Sequence, residues 1–245
     1  MTNLNANTSI YNLLLLDIET VPCYDCYDML SDDWKILWAE KISKTMPENI
    51  LPETSYSMRA GILAEFGKII CISTGYFYEN INKQLCLKIK SIYGDDEKIL
   101  LRNFLEMING FYKTNRDYMF AGHNIREFDI PYICRRLLIN HIELPNYLHL
   151  HGAKPWDINM VDTLQWWKFG DYKNYISLNL LASVLNIPTS KTDMDGSMVR
   201  DVYYEHKDLE RIKTYCEKDV VVTANVILRF KNLPILETEC VSIVN

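Results

Sequence analysis

Apolar runs that end in polar residues mark the strands that this sequence predicts. Residues 11–20 (YNLLLLDIET) form a continuous apolar run with a polar end, which is typical of a buried central strand. The stretches 68–78 and 85–93 are rich in β-branched and aromatic residues and lie either side of residues 80–82 (NIN), so they predict a hairpin. A further strand is predicted over 118–123.

Helical patterns fill most of the intervals between these strands. An amphipathic pattern follows the acidic run 95–97, whose charges suit the positive end of a helix dipole. A second helix has Pro131 near its first turn and ends near Ile142. Two more helices are predicted over 178–185 and about 207–231. Strands and helices in this order predict one α/β domain with a mixed sheet.

The rest of the chain is assigned to two tails and an insertion. Residues 1–10 are polar and rich in Asn and Thr, so they predict a disordered tail, and residues 233–245 are assigned to a C-terminal tail. Residues 21–66 have a mixed composition and predict a partly helical insertion. The single domain then spans residues 11–232, which is long enough to bury a substantial core.

Composition removes several classes of protein. A chain that is 48% hydrophobic and 24% charged is typical of a globular protein. Because the first basic residue is Lys35, the start has no signal-peptide charge and does not resemble an Arg-rich transit peptide. The apolar run 13–16 is far shorter than the roughly 18–20 residues of a membrane span, so no membrane partner is expected. Seven cysteines without an export signal predict reduced thiols and a cytoplasmic protein.

Charge is uneven along the chain. There are 26 basic and 32 acidic residues, for a net charge of −6, and six of the acids precede Lys35. From Lys35 onward the two signs are balanced at 26 each. An acidic balance argues weakly against generic binding to nucleic acid, which usually requires a basic surface.

Two carboxylates, Asp17 and Glu19, end the first predicted strand. Side chains at positions i and i+2 of a strand point to the same face, so these two lie side by side. Like charges at that separation disfavour ionisation unless a cation neutralises them. Acids that simply face water at the end of a strand fit this pattern equally well.

A second polar group, Asn124, Phe128 and Asp129, follows the strand predicted over 118–123. Asp129 lies close to Pro131, so one interpretation makes it a helix N-cap. A helix start would also hold a functional carboxylate rigidly, and both interpretations stay open.

A third group, Tyr215 and Asp219, lies on the long C-terminal helix. Their i, i+4 spacing places them on one helix face. Asp219 precedes the apolar run 220–222, and a buried acid at that position needs a partner. The alternatives are an exposed Asp and a tyrosine that only fills the core.

Together these groups read Asp-x-Glu, Asn-x3-Phe-Asp and Tyr-x3-Asp, in this order. They resemble the three motifs of the DEDD 3′–5′ exonucleases of the DnaQ-like superfamily, in the subgroup with tyrosine in the third motif (DEDDy). Members of the histidine type carry His five residues before the last Asp, and Thr214 occupies that position here. Residues 11–232 are similar to the stand-alone exonucleases related to the proofreading domain of family B DNA polymerases. Residues 66–70 and 193–197 are also similar to that group.

The resemblance implies a ribonuclease-H-like fold, with a mixed central sheet flanked by helices on both faces. It also implies two bound Mg²⁺ or Mn²⁺ ions, both of which favour oxygen ligands. The implied metal ligands and catalytic carboxylates are Asp17, Glu19, Asp129 and Asp219. Tyr215 would act with them by orienting a water molecule, and Thr20, Asn124 and Phe128 would contact the terminal nucleotide.

The expected activity is stepwise hydrolysis of nucleic acid from its 3′ end, with release of nucleoside 5′-monophosphates. DNA is favoured and RNA stays open, and a single-stranded 3′ end is the expected partner. A replication, repair or RNA-processing protein is a further expected partner, and the oligomeric state is left open. Two alternatives are a catalytically idle nucleic-acid-binding or scaffolding module and a small-molecule phosphodiesterase.

Other polar and aromatic groups carry weaker hypotheses. Cys23 and Cys26 form a C-x2-C without a second pair, which favours free thiols over a zinc site. His149 and His151 have no obvious third ligand, and His123 is expected to be structural. Arg135-Arg136 could touch phosphates or lie on a solvated helix face, and the second is favoured. Trp34, Trp38, Trp166 and Trp167 could stack on bases, although packing is favoured for most of them.

Overall fold

A computed structural model describes residues 8–45, 50–114, 117–154, 158–171, 173–189 and 194–244. Within these residues one sheet contains six strands: β1 (Leu13–Pro22), β2 (Gly67–Glu79), β3 (Leu85–Tyr93), β4 (Met119–Gly122), β5 (Val161–Asp162) and β6 (Val241–Val244). Their spatial order is β5-β4-β1-β2-β3-β6. The first strand therefore lies in the interior of the sheet, as its apolar sequence predicts.

The sheet is mixed. β1 pairs antiparallel with β2 and parallel with β4, and β2 pairs antiparallel with β3. β5 and β6 extend the two edges by parallel pairing with β4 and β3. A meander of three strands with parallel strands on the other side of β1 confirms the predicted α/β, ribonuclease-H-like fold.

The described helices lie between and beside these strands. They are α1 (Asp32–Ile42), α2 (Pro52–Arg59), α3 (Glu97–Thr114), α4 (Asp129–Ile139), α5 (Thr163–Lys168), α6 (Leu178–Val184), α7 (Val199–Tyr204) and α8 (Leu209–Phe230). Residues 21–66, predicted as a partly helical insertion, contain the helices α1 and α2. None of the described helices is long and apolar enough to cross a membrane.

Alternate residues of β1 pack into two hydrophobic cores, one on each face of the sheet. Leu14, Leu16 and Ile18 pack with side chains of α3 and α4 on one face of the sheet. Leu13 and Leu15 pack with side chains of α8 on the other face. Because side chains alternate along a strand, the odd-numbered Asp17 and Glu19 continue the row that faces α8. The hydrophobic pattern of β1 thus decides which helix the two carboxylates meet.

A buried ion pair ties the first core to the insertion. Arg136 is only 6% exposed, and its guanidinium lies 2.6 Å from a carboxylate oxygen of Glu97. The same guanidinium donates a hydrogen bond to the Ala64 carbonyl, and Glu97 accepts one from the Ile69 backbone N–H. Both hypotheses for Arg136, a phosphate contact and a solvated helix face, are therefore wrong. Its partners lie 39 or more positions away in the sequence, so local periodicity does not reveal them.

The structure differs from the sequence prediction at both ends of the domain. Residues 241–244 form β6, which pairs with β3 instead of belonging to a tail. At the other end, Ile10 is buried and begins a short 3-10 turn, while residues 1–7 lie outside the described part of the chain. β5, α5 and α7 were also not predicted, because elements of two to six residues are too short to show a period.

Candidate active site

The end of β1 presents the first two carboxylates. Asp17 and Glu19 lie opposite Ser73 and Cys71 of β2, and the register shifts at a bulge directly after Glu19. Bulges often re-aim side chains beside active sites. Glu19 is 7% exposed, and no described residue donates a hydrogen bond to its carboxylate or forms an ion pair with it. A buried carboxylate without a partner is costly, so this position is under strong electrostatic constraint.

Asp129 approaches β1 from the adjacent helix. It is the first residue of α4, is 4% exposed, and accepts a hydrogen bond from the Ile18 backbone N–H at 3.2 Å. The register of β4 with β1 extends only to Leu15, so this N–H lies beyond the last β4 partner. Asp129 thus belongs to the helix and holds β1, whereas the cap position is occupied by Phe128.

α8 supplies the remaining two side chains. The Asp208 side chain caps the start of this helix by accepting a hydrogen bond from the Arg211 N–H. One turn separates Tyr215 from Asp219, and the tyrosine hydroxyl donates a hydrogen bond to the Asp219 carboxylate. Three elements therefore bring the five predicted catalytic residues together.

The pKa values of all four carboxyl groups are raised above their ordinary values. Burial, followed by the charges of neighbouring carboxylates, raises the pKa of Asp17 and that of Glu19 well above their ordinary values. Burial raises the pKa of Asp129 to about 7 and the pKa of Asp219 to about 6. None of the ion pairs seen in the described residues involves these four groups. Such a cluster is electrostatically suited to a divalent cation with oxygen ligands.

The pKa of Tyr215 is raised as well. Burial is the main cause, and the negative charges of Asp219, Glu19 and Asp17 add to it. The phenol therefore stays protonated at neutral pH and can act as a hydrogen-bond donor, whereas it cannot act as a base.

A thiol that the sequence interpretation did not assign to the site lies beside the carboxylates. Cys216 donates weak hydrogen bonds to the backbone oxygen of Asp17 at 3.4 Å and to its side-chain Oδ2 at 3.3 Å. In the sequence, its i, i+4 spacing from the apolar Ile212 and Val220 of α8 indicates core packing and gives no sign of this contact.

The comparisons with known proteins bear on this arrangement. The model of a protein family described as "predicted 3′–5′ exonuclease related to the exonuclease domain of PolB" matches residues 62–236, which is more than half of the chain. The chain belongs to this family of predicted 3′–5′ exonucleases. The matched segment includes the second and third motifs and begins after Asp17 and Glu19.

One solved structure gives a more distant likeness. A family B DNA polymerase from the hyperthermophilic archaeon Pyrobaculum calidifontis is similar over 89% of this chain, with 13% sequence identity and a TM-score of 0.49. The likeness covers 24% of the polymerase, so this chain spans about a quarter of its length. No curated protein matches the chain significantly.

Asn124, one of the predicted substrate contacts, lies in the loop that follows β4. Asn124 has a φ of 60°, and its backbone N–H donates to the buried carboxylate of Asp162 at 3.0 Å. The Asn124 Oδ1 atom is buried and accepts no hydrogen bond from the described residues. Asp162 also accepts from the Arg126 N–H and caps α5. Asp162, to which the sequence interpretation gave no role, therefore holds the loop of the second motif.

Thr20 and Phe128 lie where the insertion meets α4. The Thr20 hydroxyl hydrogen-bonds the hydroxyl of Tyr132, which itself donates to the Gly61 carbonyl at 2.7 Å. The ring of Phe128 lies 5.4 Å from the Tyr132 ring. Thr20 and Phe128 are thus connected through Tyr132, and each is adjacent in the sequence to a carboxylate of the site, Glu19 and Asp129 respectively.

The weaker candidates stay outside this cluster. His123 hydrogen-bonds Thr163 and the Ile176 carbonyl, each at 2.9 Å, which is a structural role. Within the described residues, Asp17, Glu19 and Cys216 are the only set of three or more His, Cys, Asp and Glu side chains close enough to share one metal ion, and they are called the carboxylate–thiol group below. Cys23, Cys26, His149 and His151 are not in it. Trp38 is fully buried and Trp34 is 45% exposed. Asp193, the first residue of the predicted motif 193–197, lies outside the described residues.

We expect Asp129→Asn to stabilise the metal-free protein at high pH. The pKa of Asp129 rises from 3.8 to about 7 on folding, so its contribution to stability is lost as the pH rises through 7. Asn retains an oxygen that can accept the Ile18 N–H and carries no charge. In EDTA at pH 8, the variant should have a free energy of unfolding about 2 kcal/mol above that of wild type, and the difference should shrink at pH 5.

Urea unfolding at both pH values measures this difference. Asp28→Asn, which removes an exposed acid, is the matched control and should show no such dependence on pH. A variant that is less stable than wild type at pH 8 would contradict the electrostatic account of the site.

Proposed function

We propose that this chain is a metal-dependent 3′–5′ exonuclease of the tyrosine subgroup, DEDDy. It hydrolyses phosphodiester bonds from the 3′ end of nucleic acid and releases nucleoside 5′-monophosphates. One observation carries the proposal: four carboxylates from β1, α4 and α8, two buried and two half-buried, lie at the end of β1 without a basic partner among the described residues. Tyr215 is hydrogen-bonded to one of them, Asp219. Membership of a family of predicted 3′–5′ exonucleases supports the same reaction.

The cluster fits divalent cations. The carboxylate of Glu19 is buried without a hydrogen-bond partner, and Asp17 faces the negative charges of Asp219 and Asp129. Carboxylate oxygens suit Mg²⁺ and Mn²⁺, and Asp17, Glu19, Asp129 and Asp219 would hold two of these ions. When bound, such ions stabilise the attacking and leaving oxygens of a phosphodiester displacement.

The residues of this chain then have separate tasks. Asp129 is fixed by its hydrogen bond from the Ile18 N–H, so its carboxylate keeps one position relative to Asp17. Tyr215 donates its hydroxyl proton to Asp219, and its hydroxyl oxygen can accept a hydrogen bond from the attacking water and so orient it. Because the pKa of Tyr215 is raised, it does so without removing a proton from the water. Asn124 Oδ1 can accept a hydrogen bond from the terminal nucleotide, because no described residue uses it. Thr20 and Phe128 are proposed to border the same nucleotide.

The proposed substrate is a single-stranded 3′ end, with DNA favoured and RNA possible. Setting aside the four site carboxylates leaves 28 acids against 26 bases, a net charge of −2. Most of the excess negative charge therefore comes from the site carboxylates. It favours a substrate held locally at its 3′ end over one held by a broad basic surface. A replication, repair or RNA-processing protein would supply the biological context.

Replacing one metal-binding carboxylate should abolish this activity. With Mn²⁺, wild type should shorten 5′-labelled single-stranded DNA from its 3′ end, and Asp17→Asn and Asp219→Asn should each reduce kcat at least about a hundredfold, because each removes a ligand of the proposed ions. Asp28→Asn is the matched control for loss of one acid. Gel analysis of the shortened products gives the rates.

The same assay separates the alternatives. Wild type that degrades neither DNA nor RNA and binds no Mn²⁺ would favour an idle binding module. Faster hydrolysis of a nitrophenyl thymidine phosphodiester than of oligonucleotides would favour a small-molecule phosphodiesterase.

The role of Tyr215 is tested by Tyr215→Phe, which removes only the hydroxyl. Loss of one hydrogen bond to a charged or polarised group should lower kcat about tenfold or more. Because the phenol stays protonated throughout the neutral range, the shape of the pH–rate profile should not change. Disappearance of a titration step from the profile would instead identify Tyr215 as a base and would overturn the assigned role.

A further inference from the structure

The thiol of Cys216 is placed as a ligand to the same cluster. One oxygen of Asp17, one oxygen of Glu19 and the Cys216 sulfur all lie within 4.8 Å of one another. The sulfur is 3.3 Å from Asp17 Oδ2, and Cys216 is fully buried. Ligands around a tetrahedral zinc ion lie about 3.5 Å apart, given Zn–O and Zn–S distances of about 2.0–2.3 Å. The sulfur to Asp17 Oδ2 distance of 3.3 Å matches the separation that one such ion requires, and the other two separations are within 4.8 Å.

The burial of Glu19 without a partner also points to a ligand at this place. Glu19 is more than nine-tenths buried, and none of the described residues donates a hydrogen bond to it or pairs with its charge. The ionised form of a carboxyl group removed from water in this way is stabilised by a bound cation. The same side chain is a member of the carboxylate–thiol group.

Sulfur changes which cation this group prefers. Mg²⁺ and Mn²⁺ favour oxygen ligands, whereas a thiolate selects softer ions such as Zn²⁺ and Cd²⁺. A site made only of carboxylates would show little of this preference.

We propose that Cys216, Asp17 and Glu19 form a binding site for a thiophilic divalent cation, Zn²⁺ or Cd²⁺. As the metal–sulfur bond forms, the thiol loses its proton to the solvent, and no electron is transferred. Such an ion occupies carboxylates that the proposed Mg²⁺ ions need, so it inhibits the exonuclease. The inhibition rests on the proposed function, while the binding does not.

Cys71 offers a matched comparison. It is as fully buried as Cys216, and its thiol is a hydrogen-bonding neighbour of Cys216, yet it is not a member of the carboxylate–thiol group. A general effect of buried thiols would therefore involve Cys71 and Cys216 alike, whereas the proposed site requires only Cys216.

The test uses the full chain with Cys23→Ser and Cys26→Ser, which removes the two thiols of the C-x2-C. Titration with Cd²⁺ should produce the ultraviolet charge-transfer band of a cadmium thiolate. Adding Cys216→Ser should abolish the band and weaken Cd²⁺ binding about tenfold or more, as expected for loss of a metal ligand. Adding Cys71→Ser should leave the band in place.

Glu19→Gln provides a second variant, should Cys216→Ser fail to fold by circular dichroism. This change removes no hydrogen bond from the described residues and should weaken Cd²⁺ binding about tenfold or more. The proposal is overturned if Cd²⁺ gives no band, if the band survives Cys216→Ser, or if Glu19→Gln leaves the affinity unchanged. Degradation of DNA in Mg²⁺ is measured separately, so a negative cadmium result would not contradict the exonuclease proposal.

Discussion

The electrostatics of this fold are dominated by four carboxylates at low exposure, of which Glu19 and Asp129 are buried and Asp17 and Asp219 are half-buried. Asp17, Glu19, Asp129 and Asp219 have raised pKa values, and burial is the largest cause for each. Ordinary folding would separate such groups or expose them to water. Here two large hydrophobic cores, one on each face of the sheet, hold them together. Ionising these carboxyl groups in the folded protein therefore has an unfavourable free energy, which bound cations would lower.

The arrangement of the elements makes this concentration of charge possible. β1 is interior, and its alternation directs Leu13 and Leu15 toward α8, so Asp17 falls on the same face. The register of β4 with β1 ends at Leu15, which leaves the Ile18 N–H available to Asp129. On the same edge, Asp162 holds the loop of the second motif. Backbone N–H groups thus fix the positions of acids that have no basic partner among the described residues.

Long periodic elements could be predicted from the sequence, whereas contacts between distant residues could not. The β2–β3 hairpin, α3 and α8 show clear patterns, and the second strand of the hairpin matches the predicted residues 85–93. The grouping of the five candidate site residues was predicted because three motifs, far apart in the chain, resemble those of the DEDD exonucleases. The burial of Arg136 against Glu97 and the contact of Cys216 with Asp17 could not be predicted. Their partners lie 39 and 199 positions away, and neither pairing changes a local pattern.

Calorimetric titration of the wild-type protein with Mn²⁺ shows directly whether the four carboxylates bind metal ions. Performed near pH 6 in two buffers with different heats of ionisation, it counts both the ions bound and the protons released. We expect two Mn²⁺ ions to bind per chain. We also expect a net release of protons, because the carboxyl groups of the site have raised pKa values and must ionise to bind the ions. Absence of Mn²⁺ binding, or binding without proton release, would contradict this account of the site.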